Sequence, residues 1–144
     1  MSDQTNKKQR THPQYELLYH PGIPGRGEFI RLAFEAAGVP YTDIAVENKN
    51  GGYGTVQKIC MNDGPESAEG NAPVFAPPGL RVPGAGRDGS ALIIGQTPNI
   101  LHYLSDKIGM VPEDEAGKAY VHQLALTALD LNNEVSRSWS VYDG

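Results

Sequence analysis

LLYHPGIPGRGEFIRLAFEAAGVPY, residues 17–41, holds two kinds of local signal side by side. Residues 15–19, YELLY, form a short apolar-rich run of the kind that makes a buried strand. From His20 to Gly27 the chain then places a histidine, two prolines, three glycines and an arginine, which is turn chemistry. Directly after it, Ile30, Ala33, Phe34 and Ala37 recur at i, i+3, i+4 and i+7 and define one apolar helix face over residues 27–37. Gly38 is the stop signal. Residues 39–46, VPYTDIAV, read as a second strand with Pro40 at its edge.

The rest of the chain extends this pattern. Residues 47–71 are polar and glycine-rich, and the spacing predicts a loop holding one short helix over 54–60. Residues 72–76, APVFA, read as a third strand starting at a proline, and 91–94, ALII, as a fourth. Gln96-Thr97-Pro98 opens a second helix, with Thr97 suited to the N-cap and Pro98 to the first helical position. Ile100, Leu101, Leu104 and Ile108 form its stripe, and Gly109 ends it. From near Glu113, Val121, Leu124, Ala125, Ala128, Leu131 and Val135 repeat at helical spacing, with no later element to cover them. The order β-α-β, a variable stretch, β-β and then α predicts an α/β sandwich with a mixed sheet.

Composition narrows the function classes. The chain has 144 residues and a net charge of −5, and its one basic cluster is Lys7–Arg10. That balance argues against a nucleic-acid partner. A single cysteine, Cys60, excludes an internal disulfide framework and fits a reducing, cytoplasmic compartment. It also excludes a Cys-x-x-Cys redox site, and with four scattered histidines it leaves no zinc-ligand spacing, so no metal is expected. No apolar run approaches the roughly 20 residues that span a bilayer. Residues 1–14 are polar and read as a disordered tail.

Four segments together resemble the N-terminal, thioredoxin-like domain of the cytosolic, tyrosine-type glutathione transferases. They are the opening stretch with its Arg26-x-Glu28, the Asn71-Ala72-Pro73-Val74 segment, GQTPNILHYL over residues 95–104, and EDEAGKAY leading into the last helix. The resemblance implies a thioredoxin-like βαβ-ββα glutathione-binding domain over 15–109, and over 110–144 a linker and the first helix of an incomplete helical domain. It implies binding of glutathione as co-substrate and transfer of its sulfur to a small apolar electrophile. The alternatives are an accessory protein without turnover, one dedicated to a single biosynthetic pathway, or an inactive fragment.

Site roles follow from the same resemblance. Tyr19 would donate its hydroxyl to the glutathione thiolate, and Arg26 would orient the site. A free thiol titrates near 8.5, and lowering it by about two units takes roughly 2.7 kcal/mol of preference for the anion, within reach of one charge-assisted hydrogen bond plus a helix N-terminus. Counting the family's usual six residues back from Arg26 reaches His20, not Tyr19. Either the turn carries one extra residue around Ile23-Pro24, or the donor is displaced. Ala72 and Pro73 would pair with glutathione's backbone through a cis proline at 73, with Asn71 adding a contact. Gln96 and Thr97 would hold the γ-glutamyl carboxylate at a helix N-terminus. Tyr53 and Lys58 are candidates for the glycyl carboxylate, and Asp130 for a contact across a homodimer interface.

Overall fold

The computed structural model describes residues 11–61 and 70–140. Most of the expected tail, residues 1–10 with the basic cluster, and part of the polar stretch, 62–69, lie outside the described residues. The elements are β1 (Glu16–Leu18), α1 (Glu28–Ala37), β2 (Thr42–Asp43), α2 (Gly52–Cys60), β3 (Gly79–Val82), β4 (Leu92–Gly95), α3 (Thr97–Lys107) and α4 (Glu115–Ser140). The sheet order is β2-β1-β3-β4, with β1 parallel to β2 and antiparallel to β3, and β3 antiparallel to β4. This is the mixed sheet of the expected α/β, thioredoxin-like architecture.

Strand alternation divides the interior in two. Tyr15, Leu17 and Tyr19 join Ile30 and Phe34 of α1, Leu80 and Val82 of β3, and Ile100 and Leu104 of α3. Leu18 points the other way, onto Ile44, Val56 and Cys60 beneath α2. On that face Glu16 is buried at 2% exposure and accepts from Arg81 Nη1 at 2.8 Å and Asn50 Nδ2 at 2.7 Å. Two partners are what a carboxylate needs to be tolerated there.

The α1 stop works as its glycine predicts. Gly38 takes φ +65°, its N–H and that of Val39 return to Glu35 and Phe34 carbonyls, and Val39 then packs into the α1 core.

Three expected elements differ. The second strand is two residues long, not eight, because the Asp43 side chain accepts the Val46 N–H at 3.3 Å and its carbonyl the Glu47 N–H at 2.9 Å, turning the chain away. Residues 72–76 are not a strand. The third strand is Gly79–Val82, whose Leu80 and Val82 are fully buried, whereas Phe75 is 87% exposed. The last helix begins at Glu115, and its stripe is split. Val121, Ala125 and Leu129 face inward, while Leu124, Leu131 and Val135 face outward.

The histidines are not all scattered either. His102 on α3 and His122 on α4 pack with ring centroids 4.8 Å apart, beside the Asp106–Lys118 ion pair at 2.9 Å. The Lys118 hydrogen bond holds the Asp106 carboxyl below its usual range. Among the described residues no helix is long and apolar enough to cross a membrane.

Candidate functional site

β1 delivers Tyr19 into the turn before α1, where the chain makes one 3-10 turn over Gly25–Gly27. The phenol ring lies on that turn at 6% exposure, and its Oη accepts the Arg26 backbone N–H at 3.0 Å. Two glycines make this approach feasible. A Cβ on Gly25 would stand 2.2 Å from the Tyr19 oxygen, and one on Gly27 would stand 2.5 Å from Cδ1 of the ring. Gly25 also takes φ +44°, which L side chains rarely adopt. The phenol oxygen accepts from the protein, so its own proton remains to be donated.

Arg31 lies over the Tyr19 ring, its Cζ 5.7 Å from the centroid. It pairs with Asp43 at 2.8 Å and Glu28 at 3.0 Å. Burial disfavours the Arg31 charge, but the hydrogen bonds it donates to Asp43 and Glu28 outweigh it and raise its pKa. The ring thus sits between the helix start and a buried ion pair.

Arg26 joins three segments. Its N–H meets Tyr19, its carbonyl accepts the Thr97 hydroxyl at 3.4 Å, and its guanidinium donates through Nη2 to Asn133 Oδ1 on α4. Thr97 is 2% exposed. It is not the N-cap of α3. That position is Gln96, a non-glycine residue at φ +67°, ψ +117°, with Thr97 the first helical residue. Backbone strain of this kind costs of order 1–3 kcal/mol and concentrates at ligand sites. The α3 start provides N–H groups on Thr97 and Asn99 that helix geometry leaves without intrahelical acceptors, while Pro98 provides none.

Of the residues singled out in the sequence, Tyr19, Arg26, Gln96 and Thr97 therefore converge. His20 follows Tyr19 into the turn and is held from α2. Its Nδ1 is hydrogen-bonded to the Tyr53 hydroxyl at 2.8 Å, and its ring packs edge-on against Tyr19 at 5.2 Å.

The segment Asn71-Ala72-Pro73 differs from the expectation in its backbone, since the cis bond is not at Pro73. Asn71 bonds along the β4 edge, donating to the Ala91 carbonyl and accepting the Ile93 N–H, both at 2.9 Å. Ala72 and Pro73 are exposed. The cis peptide lies five residues on from the expected Ala72–Pro73 bond, at Pro77–Pro78, where the chain enters β3. The signal was present as Pro-Pro directly before the apolar run GLRV.

Lys58 and Asp130 are exposed and bring nothing to the cluster. Cys60 is 1% exposed, and burial pushes its thiol up to about 12, which leaves it inert. Among the described residues no group of three or more His, Cys, Asp or Glu side chains is placed to hold a metal ion. Asn133 was invisible to sequence reasoning, since no local pattern links positions 107 residues apart.

The β1–turn–α1 unit thus presents a phenol at a helix start, beside the N-terminus of a second helix, within a thioredoxin-like fold. No protein-family model and no curated protein matches the chain. Solved structures do. A glutathione S-transferase from Ascaris lumbricoides shares 25% identity at a TM-score of 0.60, over 90% of this chain and 52% of its own. A monomeric glutathione S-transferase from the hookworm Necator americanus shares 24% at 0.59, over 93% and 54%. Prostaglandin synthase D of Nilaparvata lugens shares 23% at 0.57, over 87% and 52%. The chain therefore has the glutathione-transferase fold and spans about half the length of these structures.

Proposed function

We propose that this chain binds glutathione where the β1–α1 turn meets the start of α3, stabilises its thiolate through Tyr19, and serves transfer of the sulfur to a small apolar electrophile. The observation that carries this is the Tyr19 hydroxyl, which accepts the Arg26 N–H at the start of α1 and so keeps its proton for an incoming sulfur. A thiolate placed there receives that hydrogen bond and the positive end of a helix, and both favour the anion over the thiol.

The γ-glutamyl carboxylate is assigned to Gln96, Thr97 and the α3 N-terminus, with Arg26 supplying positive charge nearby. The glutathione backbone is assigned to Ala72 and Pro73, which are exposed. The protein's contribution is positioning and a pre-oriented donor.

The test is a calorimetric glutathione titration of the wild type and Tyr19→Phe, read with the ultraviolet absorbance of bound thiolate near neutral pH. The wild type is expected to bind with a thiolate signal. Tyr19→Phe should keep binding, lose the signal and slow conjugation about a hundredfold or more. An unchanged signal in Tyr19→Phe removes Tyr19 from the mechanism. Binding by the wild type without thiolate means a glutathione-binding protein without turnover.

A further inference from the structure

The ionic partners available to Arg26 are used elsewhere. Glu28, two residues on and the obvious local partner, pairs with Arg31 at 3.0 Å, and Glu134 pairs with Arg137 at 3.7 Å. Among the described residues no carboxylate lies within ion-pair distance of Arg26. What holds the guanidinium is a neutral amide, Asn133 Oδ1. Asn133 stands one helical turn beyond Leu129, which is buried where α4 meets the rest of the molecule. The amide is therefore set from α4's inward side.

An arginine carries a long, rotamer-rich side chain and a permanent charge. A carboxylate at residue 133 would restrain the side chain and cancel the charge together. An asparagine restrains it and leaves the charge intact.

We propose that Asn133 is a positioning residue. It holds the Arg26 guanidinium beside the Tyr19 turn without neutralising it, and so keeps one cation available to a carboxylate of the bound ligand. This rests on glutathione being that ligand. The two segments involved, the β1–α1 turn and α4, then form one site through a single side-chain contact.

Asn133→Asp separates this from a purely structural contact. Aspartate has the same shape and accepts the same hydrogen bond, so a structural contact would be kept or strengthened. Under the proposal the new carboxylate claims the Arg26 charge. Glutathione affinity should fall about tenfold, the loss appearing in KM rather than in kcat, and the salt dependence of binding should shrink. Asn133→Ala should lose less, about two- to fivefold, because the charge stays but wanders. Equal affinities of wild type, Asn133→Asp and Asn133→Ala, or a rise in thermal midpoint of Asn133→Asp with no loss of affinity, would overturn the role given to Asn133 and leave the glutathione site standing. A wild type that binds no glutathione would remove both.

Discussion

Gly27→Ala tests the seat of Tyr19 with one methyl group. Gly27 has φ −68°, so alanine meets no backbone penalty there. The Cβ would instead stand 2.5 Å from Tyr19 Cδ1, 2.6 Å from Cγ and 3.1 Å from the Tyr19 Cβ. Ordinary carbon contacts lie near 3.5–4.0 Å, so the ring must retreat by about 1 Å. The contacts fall on the root of the ring, close to the strand backbone, where a side chain yields least. Overpacking of this order costs about 1–3 kcal/mol, and at the N-cap of α1 alanine brings no compensating gain. The thermal midpoint should fall by about 3–8 °C. A displacement of about 1 Å in a catalytic group can cost about a hundredfold in rate, so the thiolate signal should drop far more than stability does. Gly54→Ala is the control. Gly54 lies in α2 with open space around it, and alanine there should stabilise by about 0.5–1 kcal/mol. The measurement is thermal and urea denaturation of both variants, with thiolate absorbance at saturating glutathione. A Gly27→Ala protein as stable as Gly54→Ala and with full thiolate signal would refute the packing of Tyr19 on this turn.

Three further outcomes follow. Asn71→Ala should cost about 1–3 kcal/mol in urea denaturation, because it removes the side-chain hydrogen bonds to the Ile93 N–H and the Ala91 carbonyl at the β4 edge, while glutathione affinity stays at the wild-type value; a loss of affinity without loss of stability would contradict its structural placement. Arg31→Ala should destabilise by about 2–4 kcal/mol, since it leaves the Asp43 carboxylate buried without its charged partner, and a change below about 0.5 kcal/mol in denaturation would count against that pair. Cys60 should resist a thiol reagent at pH 8 in the folded state and react at once in urea. The folded thiol is held up at about 12, so its contribution to stability is complete below the unfolded value, near 8.5–9, and is lost as pH climbs toward 12. Burial raises Tyr15 and Tyr103 in the same sense, so stability should fall on the alkaline side, and an alkaline titration of unfolding showing no decline would overturn this.

Legibility in the sequence followed how local each cause was. The β1–turn–α1 unit was readable because its periodicity, its turn residues and its Gly38 stop act within a few positions of each other. The same holds for α3, although the cap fell on Gln96 rather than Thr97, because the helix start here is set by an unusual backbone and not by a hydroxyl. The third strand was misplaced because APVFA and GLRV are both short apolar runs. What separates them is pairing with β1, which buries Leu80 and leaves Phe75 outside. The second strand is shorter than its β-branched run suggests, because Ile44 and Val46 fit a strand by residue type while the Asp43 side chain bends the backbone regardless. The site divided in the same way. Tyr19 and Arg26 share one turn and could be paired from the sequence. His20 with Tyr53 and Arg26 with Asn133 depend on how α2 settles against β1 and α4 against α3, and no spacing rule covers that.

The division of the core by β1 has a consequence for how this chain tolerates changes in length. Tyr15, Leu17 and Tyr19 face one interior and Leu18 the other, on a strand hydrogen-bonded along both edges. A single residue inserted within 16–18 would exchange the two sets and carry the phenol to the wrong side of the sheet. A residue inserted at 21–24, in exposed backbone before the first helical turn, would only widen an arc whose two ends, Tyr19 and Gly25–Gly27, remain in contact. Drift in loop length among descendants of this chain should therefore collect on one side of Tyr19 and be almost absent on the other.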